Sequence, residues 1–258
     1  MHYFKIHATF VSKKDKKTIL KLKNMLESSL TGEKGFNMLK VVVFDSGYGG
    51  ELFADYLGEE LPVIEIIRVI DWRSADKILE NPHGARKAAE SSLRPFINKV
   101  DLIIFANFLL TATSLKYFKR KYKDQKFIGI NLEEPSTFIK HDVLILTTKA
   151  MAKTISHYNF IVHLKRKVKV IPLDSWLQKI DDGELTPPEI KETIAHRLIK
   201  ENNFLPKEII LGCTHFCDIK SELNDAFSYN VKIYDGFLKT TRNVCKTLKI
   251  RGGSFRRG

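Results

Sequence analysis

The strongest constraint on this fold is a rhythm. Short β-branched apolar runs alternate with stretches of helical spacing along most of the chain. Leu39 to Phe44 is the first run, unbroken in the way of a parallel strand buried on both faces. Val63 to Ile70, Asp101 to Phe105 and Phe127 to Asn131 repeat it, with helical patterns near Leu52 to Leu57, near Ala85 to Ile97, and ending near Tyr122. Glu134-Pro135 marks a break. Val143 to Leu146, Val168 to Ile171, Glu208 to Leu211 and Val231 to Tyr234 then form a second series, with a helix opening at Thr186-Pro187-Pro188-Glu189, where prolines suit the first turn. The pattern predicts an α/β fold of parallel sheets with helices on both faces. In such sheets ligands bind at the carboxyl ends of strands. At 258 residues the chain can bury two such units.

The residues before Met38 read as a separate extension, 1–37. Phe4, Ile6, Ala8 and Phe10 alternate like a strand, and Ile19, Leu22, Leu26 and Leu30 follow helical spacing. No apolar run spans a bilayer, the longest being interrupted at Ala106-Asn107, and the start lacks the features of a signal peptide. Three cysteines cannot all pair within one chain and read as reduced thiols, which points to the cytoplasm. A formal charge of +13 attracts phosphate in general. The lysines are scattered, however, and no helix-turn-helix, zinc-finger or RNP signature is present. The charge therefore reads as a solvated surface rather than a nucleic-acid interface.

Two turns carry the chemistry. Asp45-Ser46-Gly47-Tyr48-Gly49-Gly50 offers a carboxylate, a hydroxyl and backbone N–H groups at a helix start, an arrangement suited to an anion or to close packing. It is neither a Walker loop nor a dinucleotide fingerprint. Gly212-Cys213-Thr214-His215 puts a thiol at a helix N-terminus, where the dipole favours thiolate, with an imidazole at hand. A metal on Cys213, His215 and Cys217 lacks the second ligand pair that tight sites recruit. Cys217 and Cys245 read as packing residues.

Val43-Phe44-Asp45-Ser46-Gly47-Tyr48-Gly49-Gly50 and Leu211-Gly212-Cys213-Thr214-His215-Phe216 together resemble the two catalytic-loop motifs of the glutamate racemases, in the aspartate/glutamate racemase superfamily. Asp71 with Pro82-His83-Gly84 resembles that family's Asp followed by Pro-Tyr-Gly, and Thr147-Thr148 the start of its second domain. The resemblance covers about Leu39 to Leu248. It implies two pseudo-symmetric parallel-sheet α/β domains with the active site between them, here 38–134 plus 219–258, and 135–218. It also implies cofactor-independent interconversion of L- and D-glutamate for peptidoglycan synthesis, without pyridoxal phosphate or metal. By the same resemblance Cys213 acts on the L-face with help from His215, and Asp45 assists the opposite face. Ser46, His83, Gly84, Asn107, Thr111, Thr148 and Thr214 would hold the amino acid. The expected partner is a small acidic amino acid, with a homodimer left open and no membrane. One departure stands out. The family's second turn reads Cys-Asn-Thr, whereas this chain has Ala106-Asn107-Phe108, and an alanine carries no proton. Thr111 or a water near Asp45 are the substitutes the sequence offers. The alternatives are a one-thiol isomerase or decarboxylase of the same superfamily, and a racemase-like binding protein.

Overall fold

A computed structural model describes residues 38–72, 82–130, 142–155, 168–194 and 204–250. The expected strand and helix before Met38 lie outside these residues. In the first unit β1 (Leu39–Asp45), α1 (Tyr48–Glu60), β2 (Ile64–Ile70), α2 (Pro82–Leu93), β3 (Leu102–Phe105), α3 (Phe108–Lys121) and β4 (Phe127–Gly129) follow in order. The second continues with β5 (Val143–Thr147), α4 (Lys149–Ile155), β6 (Val168–Pro172), α5 (Asp174–Asp181), α6 (Pro187–Ile194) and β7 (Glu208–Leu211). A 3₁₀ turn (Thr214–Cys217), α7 (Lys220–Asp225), β8 (Lys232–Tyr234) and α8 (Phe237–Leu248) complete the described chain.

The strands form two four-stranded sheets, β2-β1-β3-β4 and β6-β5-β7-β8. Every pairing is parallel. The order is the same in both, so each sheet reverses direction between its first and third strands, the place where parallel sheets open a crevice. Backbone bonds carry the ladder past those strand ends: Ala106 N–H donates to Phe44 O at 2.8 Å and Gly212 N–H to Leu146 O at 2.7 Å.

Strand periodicity explains how one sheet serves two cores. Val143 and Ile145 face the core of the first unit, while Leu144 and Leu146 face a second core with Trp176, Ile190 and Phe216. In the first core Phe105 meets Phe118 edge-on at 5.0 Å, and Phe53 meets Phe237 at 5.1 Å.

Two expectations are corrected. The return to the first unit comes at α8, not at residue 219. β8 pairs with β7, and Leu223 and Val231 sit in the second core, whereas Phe237, Val244 and Cys245 sit in the first. A three-residue strand is too short for its own sequence to choose a sheet. The helix expected near Ala85 to Ile97 stops at Leu93, because Pro95 disfavours helical geometry at Arg94 and offers no N–H of its own.

Candidate active site

Asp45 ends β1 and is wholly buried. Its Oδ1 accepts from Ser46 N–H at 2.6 Å and from the Asn107 side-chain amide at 2.9 Å. Its Oδ2 accepts from the Thr214 hydroxyl at 3.3 Å, across the junction between the units. Burial dominates these bonds and raises the carboxyl from 3.8 to about 7, against the pull of Asn107, Ser46 and Thr214. Near neutrality it therefore holds or releases a proton, as an acid–base group needs.

Asn107 has a fixed orientation. Its Oδ1 caps α3 by accepting from Leu110 N–H at 2.9 Å, which turns its amide nitrogen toward Asp45 and, at 3.5 Å, the Ser46 hydroxyl. Ala106, just before it, is fully buried. A methyl group thus stands where the resemblance places a thiol.

Cys213 follows β7 and precedes the 3₁₀ turn. Its Sγ lies 3.7 Å from His215 Nδ1, and His215 Nε2 lies 3.5 Å from Asp181 Oδ1 on the last turn of α5. Asp181 thus stands on the Nε2 side of the imidazole while Nδ1 faces the thiol. Carboxylate, imidazole and thiol make a short relay, of the kind that prepares a sulfur to exchange protons. Burial lowers the His215 pKa, against the opposing charge of Asp181, and so favours the neutral ring.

The thiolate expected from a helix N-terminus is not what this turn favours. Burial pushes the Cys213 thiol to about 12, and the Asp45 charge adds to that; the backbone N–H groups of His215 and Phe216 pull only partly the other way. A four-residue 3₁₀ turn has little dipole to offer. The resting pair is therefore a thiol at Cys213 and a carboxyl at Asp45 that titrates near neutrality.

The glycines of the first turn serve close approach. A Cβ on Gly49 would lie 2.0 Å from Thr214 Oγ1, and one on Gly47 would lie 2.8 Å from His215 Cε1. Gly47 is extended, at φ −162°, so no left-handed geometry is required there. The two catalytic turns touch because this turn lacks side chains. Gly49→Ala is expected to destabilise the fold by roughly 1–3 kcal/mol and to displace Thr214 from Asp45, read as a lowered urea midpoint.

The structure brings Asp45, Ser46, Asn107, Cys213, Thr214 and His215 together. The Thr111 hydroxyl donates to Phe105 O at 3.2 Å, and a Cβ on Gly129 would lie 2.3 Å from its side chain. Thr148 is buried and accepts from Met151 N–H at 3.2 Å, a helix-capping role for α4. Thr147 instead reaches across, its hydroxyl donating to Gly212 O at 3.1 Å. His83 and Gly84 fall in the first turn of α2, with the His83 side chain outside the described residues. Asp181 was not foreseen, since nothing in sequence ties it to His215. Trp72 was also missed. It is half exposed, 3.8 Å from the Gly47 Cβ position, and its place just after β2 was the available signal. Among the described residues no cluster of three or more His, Cys, Asp or Glu could hold a metal. No described helix is long and apolar enough to cross a membrane.

No protein-family model matches the chain. It is similar to a glutamate racemase of Clostridium perfringens, 26% identical over 215 residues, covering 80% of this chain and 82% of that protein. It is likewise similar to one of Staphylococcus haemolyticus, 26% identical over 220 residues and covering 80% of each. Among solved structures, Escherichia coli glutamate racemase, in complex with L-glutamate and the activator UDP-MurNAc-Ala, superposes with a TM-score of 0.74. That pair is 18% identical and covers 84% of this chain and 85% of the other. The two parallel sheets and their helices are those of the glutamate racemase fold.

Proposed function

We infer that this chain, a homologue of the glutamate racemases, is itself a cofactor-independent amino-acid racemase that interconverts L- and D-glutamate. The observation that carries the reading is the hydrogen bond from Thr214, the neighbour of Cys213 at the end of one sheet, to Asp45 at the end of the other. Racemisation needs a proton carrier on each face of the α-carbon, and this reading assigns the two parts to Asp45 and Cys213. In this reading Cys213 serves the L-face, and Asp45 serves the face where Ala106 offers nothing. The amino acid replaces the long Thr214–Asp45 hydrogen bond, with Ser46, Asn107 and Thr214 binding its polar groups. From D-glutamate, the Asp45 carboxylate removes the α-proton, and the Cys213 thiol returns one from the opposite side. The reverse reaction starts from thiolate and carboxylic acid. The pair is reset by proton exchange through His215 Nδ1. Hydrogen bonds to the substrate carboxylate, strengthened by exclusion of water, stabilise the carbanion.

A thiol held protonated also favours a second reading, delivery of a proton to a carbanion from one side only. Purified protein with either enantiomer of glutamate, followed by circular dichroism and by proton NMR in heavy water, separates the two. Loss of optical activity together with α-deuteration from both enantiomers is expected. Exchange without inversion would overturn racemisation in favour of the one-sided reaction. The product D-glutamate would serve cell-wall synthesis, and the reduced thiol fits a cytoplasmic setting.

A further inference from the structure

A cavity of about 530 Å³ opens between α2 and α3, away from the catalytic junction. Arg94 and Ile97 on its wall lead into β3, and Lys121 and Tyr122 lead into β4. The cavity therefore lies at the edge of the first sheet where strands begin, whereas Asp45 and Asn107 lie where strands end.

One carboxylate organises its floor. Glu90 on α2 accepts from Lys121 Nζ and from the Tyr122 hydroxyl at Oε1, and from the Tyr117 hydroxyl at 3.3 Å at Oε2. Lys121 also lies 5.4 Å from the Tyr122 ring centroid, so cation, ring and carboxylate hold one another in place. Glu90 is thereby spent on α3. Lys87 and Arg94 stand three residues before it and four after it, the spacings at which a helix pairs opposite charges. Arg94 N–H still donates to Glu90 O at 3.0 Å, so Arg94 follows in register. Yet both cations are exposed, and among the described residues neither side chain has a hydrogen-bond or ion-pair partner. Ser91, also exposed, lies between them on the cavity wall.

We propose that this cavity is a binding site for a small phosphate ester that carries a planar ring, of the nucleoside monophosphate kind. A phosphate monoester bears roughly −1.5 to −2 charges near neutrality, which the two unpaired cations match. The Arg94 fork suits two phosphate oxygens, Lys87 adds a point charge, and the Ser91 hydroxyl donates a further hydrogen bond. Tyr122 and Ile97 give the ring an aromatic and an aliphatic surface. The volume falls within the range of small-molecule sites, roughly 300–1,000 Å³. A cation fits poorly, because the acid in the cavity already has three donors.

Isothermal titration calorimetry of the full chain with adenosine 5′-monophosphate, inorganic phosphate and adenosine tests this. The monophosphate is expected to bind more tightly than either fragment. Lys87→Gln/Arg94→Gln is expected to weaken it by about tenfold or more, the worth of a hydrogen bond between charged groups. Lys207→Gln/Lys246→Gln removes as many exposed charges elsewhere and is expected to keep the wild-type affinity. Ser91→Asp sets a carboxylate between the two cations and should abolish binding. All five positions are exposed, and unchanged urea midpoints would show the variants folded. Absence of monophosphate binding, equal weakening in the Lys207/Lys246 pair, or inorganic phosphate binding as tightly as the monophosphate would overturn the proposal.

Discussion

Cys213→Ser is expected to lower glutamate racemisation by on the order of 10²–10⁴, the range for removal of one acid–base group, with the fold intact. Cys213 is half-buried at the edge of the second core, and its described side-chain hydrogen bond is to His215 Nδ1, so a smaller hydroxyl fits in its place. What is lost is acidity. A thiol at about 12 is already a reluctant donor, and an alkanol is far weaker. The measurement is α-deuteration of L-glutamate in heavy water, with unfolding followed in parallel. Cys217→Ala and Cys245→Ala are the controls, expected to keep their rates. Retention of full exchange in Cys213→Ser would remove the thiol from the mechanism.

The parts of this site legible in sequence are those that local rules fix. Leu39 to Phe44 and Glu208 to Leu211 are unbroken apolar runs, so their strands and the turns after them could be placed from spacing alone. The parts that could not be read depend on contacts distant in the chain. Asp181 becomes a partner of His215 only when α5 packs beside the 3₁₀ turn. Glycines 47 and 49 suggest an anion cradle until Thr214 and His215 are seen filling the space their side chains would need. The sign of the Cys213 shift follows from burial and the neighbouring Asp45 charge, which no local pattern reveals. The bond from the Thr111 hydroxyl to Phe105 O is likewise visible only in the folded chain.

These contacts make the two turns one unit. At neutral pH the thiol keeps its proton and the carboxyl is half-titrated, so the pair passes from two protons to one as pH rises through about 7. The equilibrium constant between enantiomers is one, so kcat/KM must be the same in both directions at every pH. The profile is therefore expected to rise through an inflection near pH 7 for D- and L-glutamate alike, as Asp45 ionises in the free protein. A flat profile across that range would exclude Asp45 as the titrating group.

Asp45→Asn is expected to abolish that inflection and to stabilise the fold, because the wild-type carboxyl is costly to ionise where it sits. Its folded value, about 7, lies above its ordinary 3.8, so the folded state binds the proton more tightly than the unfolded chain does. The stability this contributes is complete below pH 3.8 and is lost as pH rises through about 7. Across that window the loss is roughly 1.4 kcal/mol per pH unit, or roughly 4 kcal/mol in total. An asparagine has no such dependence and keeps an oxygen for Ser46 N–H, while its amide can donate to the Thr214 hydroxyl. Urea unfolding at pH 4 and pH 8 should therefore show the variant close to wild type in acid and clearly more stable in base. Turnover should fall by on the order of 10²–10⁴, since the face opposite Cys213 then has no proton carrier. Ala106→Cys in the same background supplies a sulfur at the start of α3, and partial recovery of α-deuteration from D-glutamate is the expected result. A variant that is more stable in base yet racemises at the wild-type rate would leave Asp45 as a structural burden only.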